Sequence, residues 1–317
     1  MDMRYRKLGK WGIKVSEISL GAWINYGDAV NDLKTIRQIV RYAYDHGVNF
    51  FDNADVYATG KAEILMSKAL AEFPRDTLVM SSKVFWPMSK NVNDKGLSRK
   101  HVTESIFRSL ERMGTDYLDL YFAHRYDPDV PMEEIVSTFS NLVDHGYILY
   151  WGTSEWPAPR IVEACEFARA NHLHPPVVEQ PQYSMLYRER VESQILPETE
   201  RYGMGVVVWS PLAQGVLTGR YDKGTPKGSR LERHPGFVSR YMSKENLDKV
   251  KKLKKVADGL GLSRTQLALA WVLRQKGLSS AITGATKLEQ IKESLGAAGV
   301  DLPQDAVEKI EAILNPA

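Results

Sequence analysis

Four side chains, Asp52, Tyr57, Lys83 and His124, are of the types that together can deliver a proton to a carbonyl oxygen. A lysine beside a tyrosine favours the phenolate and lowers the pKa of the phenol, while a carboxylate beside the lysine keeps the ammonium charged. A histidine adds a second hydrogen-bond donor to the same oxygen. These groups supply acid but no reducing power, so a hydride must come from a bound cofactor.

Each of the four residues lies at or just past the carboxyl end of a short apolar run typical of a β-strand. Segments with helical spacing of apolar residues separate the runs, and strand ends recur roughly every thirty residues, the period of a βα unit. The pattern predicts one α/β domain over residues 1–317, a (β/α)8 (TIM) barrel whose rim gathers these side chains. The eight runs span residues 17–21, 47–52, 78–83, 118–124, 148–152, 176–180, 205–210 and 280–284.

Helix boundaries are marked by residues suited to capping. Ser98 and Ser263 precede helical patterns and are expected to accept hydrogen bonds from the first turn. Glycines suited to the left-handed backbone beyond a helix stand at positions 47, 114, 146 and 277.

Two segments depart from the regular repeat. Arg4 to Val15 alternates polar and apolar residues around two glycines, which predicts an N-terminal β-hairpin covering the bottom of the barrel. The gap between the seventh and eighth strands is more than twice the usual length. It predicts a long loop and helix insertion, with a turn-rich part at 222–236 and an extra helix at 244–260, that covers a ligand.

Composition narrows the class of protein. The net charge is +3, from 42 basic and 39 acidic residues, and no basic stretch is interleaved with aromatic residues, so nucleic-acid binding is not expected. The single Cys165 excludes an intramolecular disulfide and a cysteine-based metal site, and a packed thiol is expected there rather than a nucleophile. No metal site, signal peptide or membrane span is predicted, so we expect a cytoplasmic protein.

The second half of the chain suits a dinucleotide. Trp209 offers a flat face for a nicotinamide ring, and Ser154 and Gln180 are placed to hydrogen-bond the carboxamide of that ring. The segment 210–215, Ser-Pro-Leu-Ala-Gln-Gly, is expected to wrap a pyrophosphate with backbone N–H groups. The segment 284–287 leads into a helix whose N-terminus suits phosphate, and Arg220 and Arg230 could clamp over it.

The combined pattern resembles the aldo-keto reductase superfamily. The resemblance covers nearly the whole chain and rests on the segment 47–52 with Tyr57, Lys83 and His124, which match the family's catalytic tetrad. The segments 131–134, 150–154, 209–213 and 284–285 look most similar to its potassium-channel β-subunit branch and prokaryotic relatives. The resemblance implies NADPH-dependent reduction of a small aldehyde or ketone, and it allows a homo-oligomer. The implied cofactor residues are Trp23, Ser154, Glu155, Gln180, Trp209, Ser210, Pro211, Leu212, Ala213, Gln214, Arg220, Arg230, Gly284, Thr286, Gln290, Glu293 and Ser294.

Other functions remain open at the level of sequence. One alternative is a cofactor-sensing regulatory subunit with slow turnover, although His124 stands where channel β subunits carry asparagine. Another is a sugar or alcohol dehydrogenase running in the oxidative direction. NADPH is favoured over NADH, which also fits. Gly284 replaces a lysine that many reductases use near the adenosine 2′-phosphate, and Lys287, Arg230 and Gln290 could compensate.

Each candidate residue also has a structural reading. Asp52 could cap a turn, and an isolated Tyr57 would by default be a packed aromatic residue. Trp23 and Trp86 could wall a substrate pocket or merely pack at the rim. The remaining histidines singled out, at positions 46, 145, 172 and 174, are read as structural.

Overall fold

A computed structural model of the chain describes residues 3–315 and contains a closed barrel of eight parallel strands. The barrel strands are β3 (Ile18–Gly21), β4 (Phe50–Asp52), β5 (Val79–Val84), β6 (Leu118–Ala123), β7 (Ile148–Thr153), β8 (Val178–Glu179), β9 (Gly205–Trp209) and β10 (Leu278–Thr283). Their order around the barrel is β10-β3-β4-β5-β6-β7-β8-β9. This confirms the predicted (β/α)8 architecture.

Helices surround the barrel and follow its strands. The first six α-helices are α1 (Leu33–Asp45), α2 (Lys61–Leu70), α3 (Arg99–Met113), α4 (Met132–Asp144), α5 (Ala158–Ala170) and α6 (Leu196–Tyr202). The remaining six are α7 (Arg230–Arg233), α8 (Pro235–Val238), α9 (Lys244–Gly259), α10 (Arg264–Leu273), α11 (Leu288–Leu295) and α12 (Gln304–Leu314). Within residues 3–315, no helix is both long enough and apolar enough to cross a membrane.

The predicted N-terminal hairpin forms an antiparallel pair of β1 (Tyr5–Lys7) and β2 (Lys14–Ser16). Leu8 and Val15 pack in one buried cluster with Phe50 and Val79, which are the first residues of their strands. The hairpin therefore closes the amino-terminal end of the barrel and leaves the opposite, carboxyl rim free for a site.

The capping predictions hold at both serines. The Ser98 hydroxyl accepts a hydrogen bond from the His101 backbone N–H, and Ser263 forms a capping box with Gln266. The four predicted glycines have positive φ angles of 62° to 88°, a backbone region in which glycine carries no steric penalty. Gly277, however, lies three residues beyond the cap of α10 at Arg274.

The long insertion lies between β9 and β10, as predicted. It begins with a 3-10 segment, Ala213–Thr218, and continues through α7 and α8 to a 3-10 turn at Ser239–Tyr241. The predicted extra helix at 244–260 is α9, which ends one residue earlier.

Candidate active site

The four predicted catalytic residues converge at the carboxyl rim of the barrel. The Lys83 ammonium lies 2.7 Å from Asp52 Oδ2 and 3.2 Å from the Tyr57 hydroxyl oxygen. The rings of Tyr57 and His124 meet edge to face with centroids 5.8 Å apart. Asp52 ends β4, while Lys83 lies on β5 and His124 directly follows β6, so three adjacent strands position them.

Asp52 is held by more than its ion pair. Its Oδ1 atom accepts hydrogen bonds from Ser81 Oγ at 2.8 Å and Gln180 Nε2 at 3.0 Å. Ser81 and Lys83 are two positions apart on β5, so both side chains point to the same face of the strand. The side chain of Lys83 is completely buried and also donates to the Asn53 carbonyl at 2.6 Å. The ammonium therefore has little freedom to leave the tyrosine.

The expectation that the lysine lowers the pKa of Tyr57 is wrong for this structure. Desolvation raises the pKa of Tyr57 well above its usual range, and the negative charges of Asp52 and Asp55 act in the same direction. Arg125 opposes the shift. The tyrosine therefore remains a protonated phenol at neutral pH, which is the form that can donate a proton.

His124 is held in its neutral form. Burial lowers the pKa of His124 well below its usual range, and the positive charges of Lys83 and Arg125 add to this effect. Within the described residues its Nδ1 atom is buried and has no hydrogen-bond partner. A neutral imidazole keeps one N–H group, so His124 can donate a hydrogen bond without adding a second cation beside Lys83.

A single cavity of about 860 Å³ joins these residues to the insertion and to the ends of β9 and β10. Asp52, Tyr57 and His124 line it, whereas Lys83 lies behind Tyr57 and does not. Both predicted substrate residues, Trp23 and Trp86, line the cavity as well. The predicted cofactor residues that line it are Trp23, Ser154, Gln180, Trp209, Ser210, Pro211, Leu212, Gln214, Arg220, Arg230, Gly284, Thr286, Gln290, Glu293 and Ser294.

Two predicted cofactor residues do not line the cavity. Ala213 is fully buried, so its side chain faces the core of the insertion. Glu155 instead accepts a hydrogen bond from Trp209 Nε1 at 3.0 Å and pairs with Arg190 at 2.8 Å. Glu155 therefore stands behind the indole and anchors it, and a direct cofactor contact by its side chain is not what this arrangement indicates.

The aromatic wall of the cavity is built around Trp23. Its ring contacts Trp209 edge to face at 5.4 Å and Phe237 at 5.1 Å, so the first barrel loop, the end of β9 and α8 meet there. Phe237 is 42% exposed. The Trp209 indole is thus fixed by Trp23 on one side and by Glu155 through its ring nitrogen, which suits a stacking platform.

Ser154 and Gln180 are less free than the sequence suggested. The Ser154 hydroxyl donates to the Gln180 carbonyl at 2.9 Å, and the Gln180 amide donates to Asp52 at 3.0 Å. Each keeps an oxygen that can accept a further hydrogen bond from an amide such as a carboxamide.

The segment after β9 has an unusual backbone. Ser210, Ala213 and Gln214 have φ angles of 55°, 47° and 59°, and Gly215 has 92°. Left-handed backbone at three residues other than glycine carries a steric cost that proteins retain mainly at functional sites. Turns of this kind can present N–H groups to an anion. Here the N–H groups of Ala213 and Gly215 donate to the carbonyls of Ser210 and Leu212, so they are already satisfied.

Arg230 offers the clearest fit to a phosphate. Its guanidinium contacts Gln214 Oε1 at 2.7 Å and Asn25 Oδ1 at 3.2 Å, both neutral amides, and it has no carboxylate partner among residues 3–315. Burial lowers the pKa of Arg230 to about 10, and repulsion from Arg233 and Arg220 contributes. A desolvated cation surrounded by amides is stabilised by an anion, which matches the chemistry of a dinucleotide.

The predicted phosphate site at the helix after β10 is partly filled by the chain itself. The side-chain Oε1 atom of Gln290 accepts hydrogen bonds from the backbone N–H groups of Thr286 and Lys287 at 2.7 and 3.2 Å. Those donors are therefore satisfied before any ligand binds, and the positive contribution here comes from the exposed Lys287 ammonium.

Several cavity residues were not singled out from the sequence. They include Asn25, Arg125, Lys227, Arg233 and Phe237. Arg125 carried a signal, because it directly follows His124 at the end of β6. The others lie in loops whose positions depend on tertiary packing.

Cys165 is a buried thiol on α5 with a pKa raised to about 12 by burial, in accord with a packed rather than reactive cysteine. Within residues 3–315, no cluster of three or more histidine, cysteine, aspartate or glutamate side chains could hold a metal ion.

Comparison with known proteins agrees with this geometry. Residues 17–315 match the model of the Aldo/keto reductase family. The chain is 45% identical over 320 residues to proteins named "Probable voltage-gated potassium channel subunit beta" in Oryza sativa subsp. japonica and Arabidopsis thaliana, covering 99% of this chain and 97% of each relative. It is 42% identical over 323 residues to the "Putative voltage-gated potassium channel subunit beta" of Schizosaccharomyces pombe, covering 99% and 94%.

Proposed function

The chain belongs to the aldo/keto reductase family, and we propose that it is an NADPH-dependent oxidoreductase that reduces aldehydes or ketones to alcohols. The observation that carries the proposal is the 3.2 Å contact between the Lys83 ammonium and the Tyr57 hydroxyl at the wall of a large cavity. Tyr57 and His124 together offer two donors to one carbonyl oxygen.

When bound, NADPH supplies the hydride that reduces the carbonyl carbon and is itself oxidised to NADP⁺. Trp209, Ser154 and Gln180 would hold its nicotinamide end, and Arg220 and Arg230 would hold its phosphates. The desolvated Arg230 guanidinium supports this assignment, because its hydrogen-bond partners among residues 3–315 are amides and include no carboxylate. Lys287 and Arg230 also favour NADPH over NADH, since NADPH carries an additional phosphate.

Tyr57 delivers the proton in this proposal. Its phenol stays protonated because desolvation raises its pKa, so the proton is present when negative charge develops on the substrate oxygen. Lys83 stabilises the phenolate that remains after transfer, and Asp52 keeps Lys83 charged and directed at the oxygen. Lys83 and Asp52 therefore stabilise the transition state more than they stabilise the resting protein.

His124 orients the substrate. As a neutral imidazole it donates a hydrogen bond to the carbonyl oxygen, which polarises the carbonyl and fixes it beside Tyr57. Trp86 lies 6.5 Å from His124, ring centroid to ring centroid, and supplies an apolar wall next to the reacting carbon.

A regulatory role is the second candidate, because relatives that match nearly the whole chain are named potassium channel β subunits. In that role a bound cofactor would report redox state to a partner, and turnover would be slow. The complete set of Asp52, Tyr57, Lys83 and His124 favours catalysis. An oxidative dehydrogenase would use the same residues in reverse.

The test is oxidation of NADPH, compared with NADH, by the purified protein across reactive aldehydes, dicarbonyls and sugars. The proposal expects turnover with at least one carbonyl class and a higher kcat/KM for NADPH. Tight NADPH binding with negligible turnover on every carbonyl would instead support the regulatory subunit.

A further inference from the structure

Arg125 is a cation near Tyr57, the proposed proton donor, and the proposed mechanism gives Arg125 no role. It directly follows His124 at the end of β6, is half-buried, and lines the cavity with Tyr57. Its Nη1 group donates to the His124 carbonyl, and its guanidinium lies over the Trp86 ring, 5.6 Å from the centroid. These contacts fix the side chain and leave four of its five N–H donors without an acceptor among residues 3–315.

Arg125 also lacks a counter-ion. No carboxylate among residues 3–315 lies within 4.0 Å of its guanidinium. Three other partly buried arginines are each paired with an acid: Arg112 with Glu63, Arg190 with Glu155 and Arg264 with Asp222. A fixed and unpaired guanidinium at a cavity wall attracts an anion and can bind it through two parallel hydrogen bonds.

Arg125 stands apart from the cations assigned to the phosphates of the cofactor. The cations assigned to those phosphates, Arg220 and Arg230, follow β9, and Lys287 follows β10. In the closed ring β6 stands four strands from β10 in either direction, halfway round the barrel. Arg125 instead contacts the side of the cavity formed by Tyr57, His124 and Trp86, where the substrate carbonyl is expected.

We propose that Arg125 binds an anionic substituent of the substrate, so the preferred substrate is a short aldehyde or ketone that carries a carboxylate or a phosphate a few atoms from its carbonyl. Trp86 would pack against the carbon chain between the two groups. This inference rests on the proposed function, because it names the substrate class of the same site.

The experiment compares kcat/KM for matched carbonyls with and without the anion. Succinic semialdehyde is paired with butanal, and phosphoglycolaldehyde with glycolaldehyde, in the wild-type protein and in Arg125→Gln and Arg125→Lys. We expect a preference of about tenfold or more for one anionic member, lost in Arg125→Gln and partly kept in Arg125→Lys. The pair that shows the preference identifies carboxylate or phosphate. Because Arg125 also influences Tyr57 and His124, the preference ratio is the readout.

Arg220→Gln is the matched control. It removes another cavity arginine that has no acidic partner among residues 3–315, but from the side assigned to the cofactor. It is expected to raise KM for NADPH while preserving the ratio of anionic to neutral aldehyde. If Arg220→Gln lost the ratio equally, the preference would come from the general positive charge of the cavity. That result would overturn the specific role of Arg125.

Binding of the alcohol products separates this inference from the proposed function. Calorimetric titration of the NADP⁺-loaded protein with 4-hydroxybutanoate and with 2-hydroxyethyl phosphate should show binding of at least one, lost in Arg125→Gln. Such binding without any aldehyde reduction would support the anion site and contradict the proposed reductase function. Equal kcat/KM for butanal and succinic semialdehyde, together with equal kcat/KM for glycolaldehyde and phosphoglycolaldehyde, would overturn the anion site. The proposal that the protein is a reductase would then still stand.

Discussion

The indole Nε1–H of Trp209 donates to Glu155 Oε1 at 3.0 Å. Glu155 holds a left-handed backbone, with φ of 59°, and its second oxygen pairs with Arg190 at 2.8 Å. The acid therefore connects the proposed nicotinamide platform to the segment after β8, behind the cavity. This relationship makes the orientation of the platform depend on a residue that has no place on the cavity wall.

Glu155→Ala is expected to weaken NADPH binding about tenfold, because the indole loses its anchor and part of the platform's order. Glu155→Gln keeps an oxygen acceptor for Trp209 and should lose less. Isothermal titration with NADPH measures both. Arg190→Met is the matched control, since it removes the ion pair and leaves the indole hydrogen bond. If Arg190→Met weakens binding as much as Glu155→Ala, the anchoring of the indole is not the cause.

Asp52→Asn is expected to destabilise the fold by about 3–5 kcal/mol, because it leaves the buried Lys83 ammonium without its counter-charge. The double variant Asp52→Asn with Lys83→Met removes both charges and should recover part of that loss. Chemical denaturation followed by circular dichroism gives the free energies of unfolding. A double variant no more stable than the single one would contradict the stabilisation assigned to the Asp52–Lys83 pair. Neither variant should retain efficient turnover.

The depressed pKa of His124 predicts a pH dependence of stability. The unfolded chain takes up a proton at this residue as pH falls below about 6.5, while the folded protein resists it, so stability is lost on acidification below that value. His124→Asn removes this contribution, and the difference in unfolding free energy between pH 7 and pH 5 should shrink by about 1–2 kcal/mol.

His172→Asn provides the control for this measurement. His172 lies on an exposed turn with φ of 55°, a conformation that asparagine tolerates. The same histidine-to-asparagine change at this position therefore shows the effect of the substitution without the burial that lowers the pKa of His124. An unchanged pH dependence in His124→Asn would mean that His124 titrates normally in the folded protein.

The barrel could be predicted because each βα unit repeats a local pattern of apolar strand, turn and amphipathic helix. Strand lengths were less predictable. The sixth barrel strand, β8, spans Val178–Glu179, whereas the predicted run covers residues 176–180. Its neighbours β7 and β9 determine how many of its residues pair, and that is a property of the closed ring.

The convergence of Asp52, Lys83 and His124 followed from strand ends, since parallel strands bring their carboxyl ends to one rim. Tyr57 was placed beside them by its five-residue step from Asp52, in the loop after β4. The pKa of Tyr57 did not follow. A sequence shows which charges are near but does not show how far water is excluded, and desolvation dominates at this tyrosine. For the same reason, the placement of Glu155 behind Trp209 depends on packing that no spacing of residues reveals.

Tyr57→Phe provides the most direct test of the central claim that Tyr57 is the proton donor. We predict that kcat for the best aldehyde falls about 100-fold or more, while the Kd for NADPH changes by less than about twofold. Tyr187→Phe, at a surface position outside the cavity, should leave both quantities unchanged. Turnover of Tyr57→Phe within a few-fold of the wild-type rate would contradict the account.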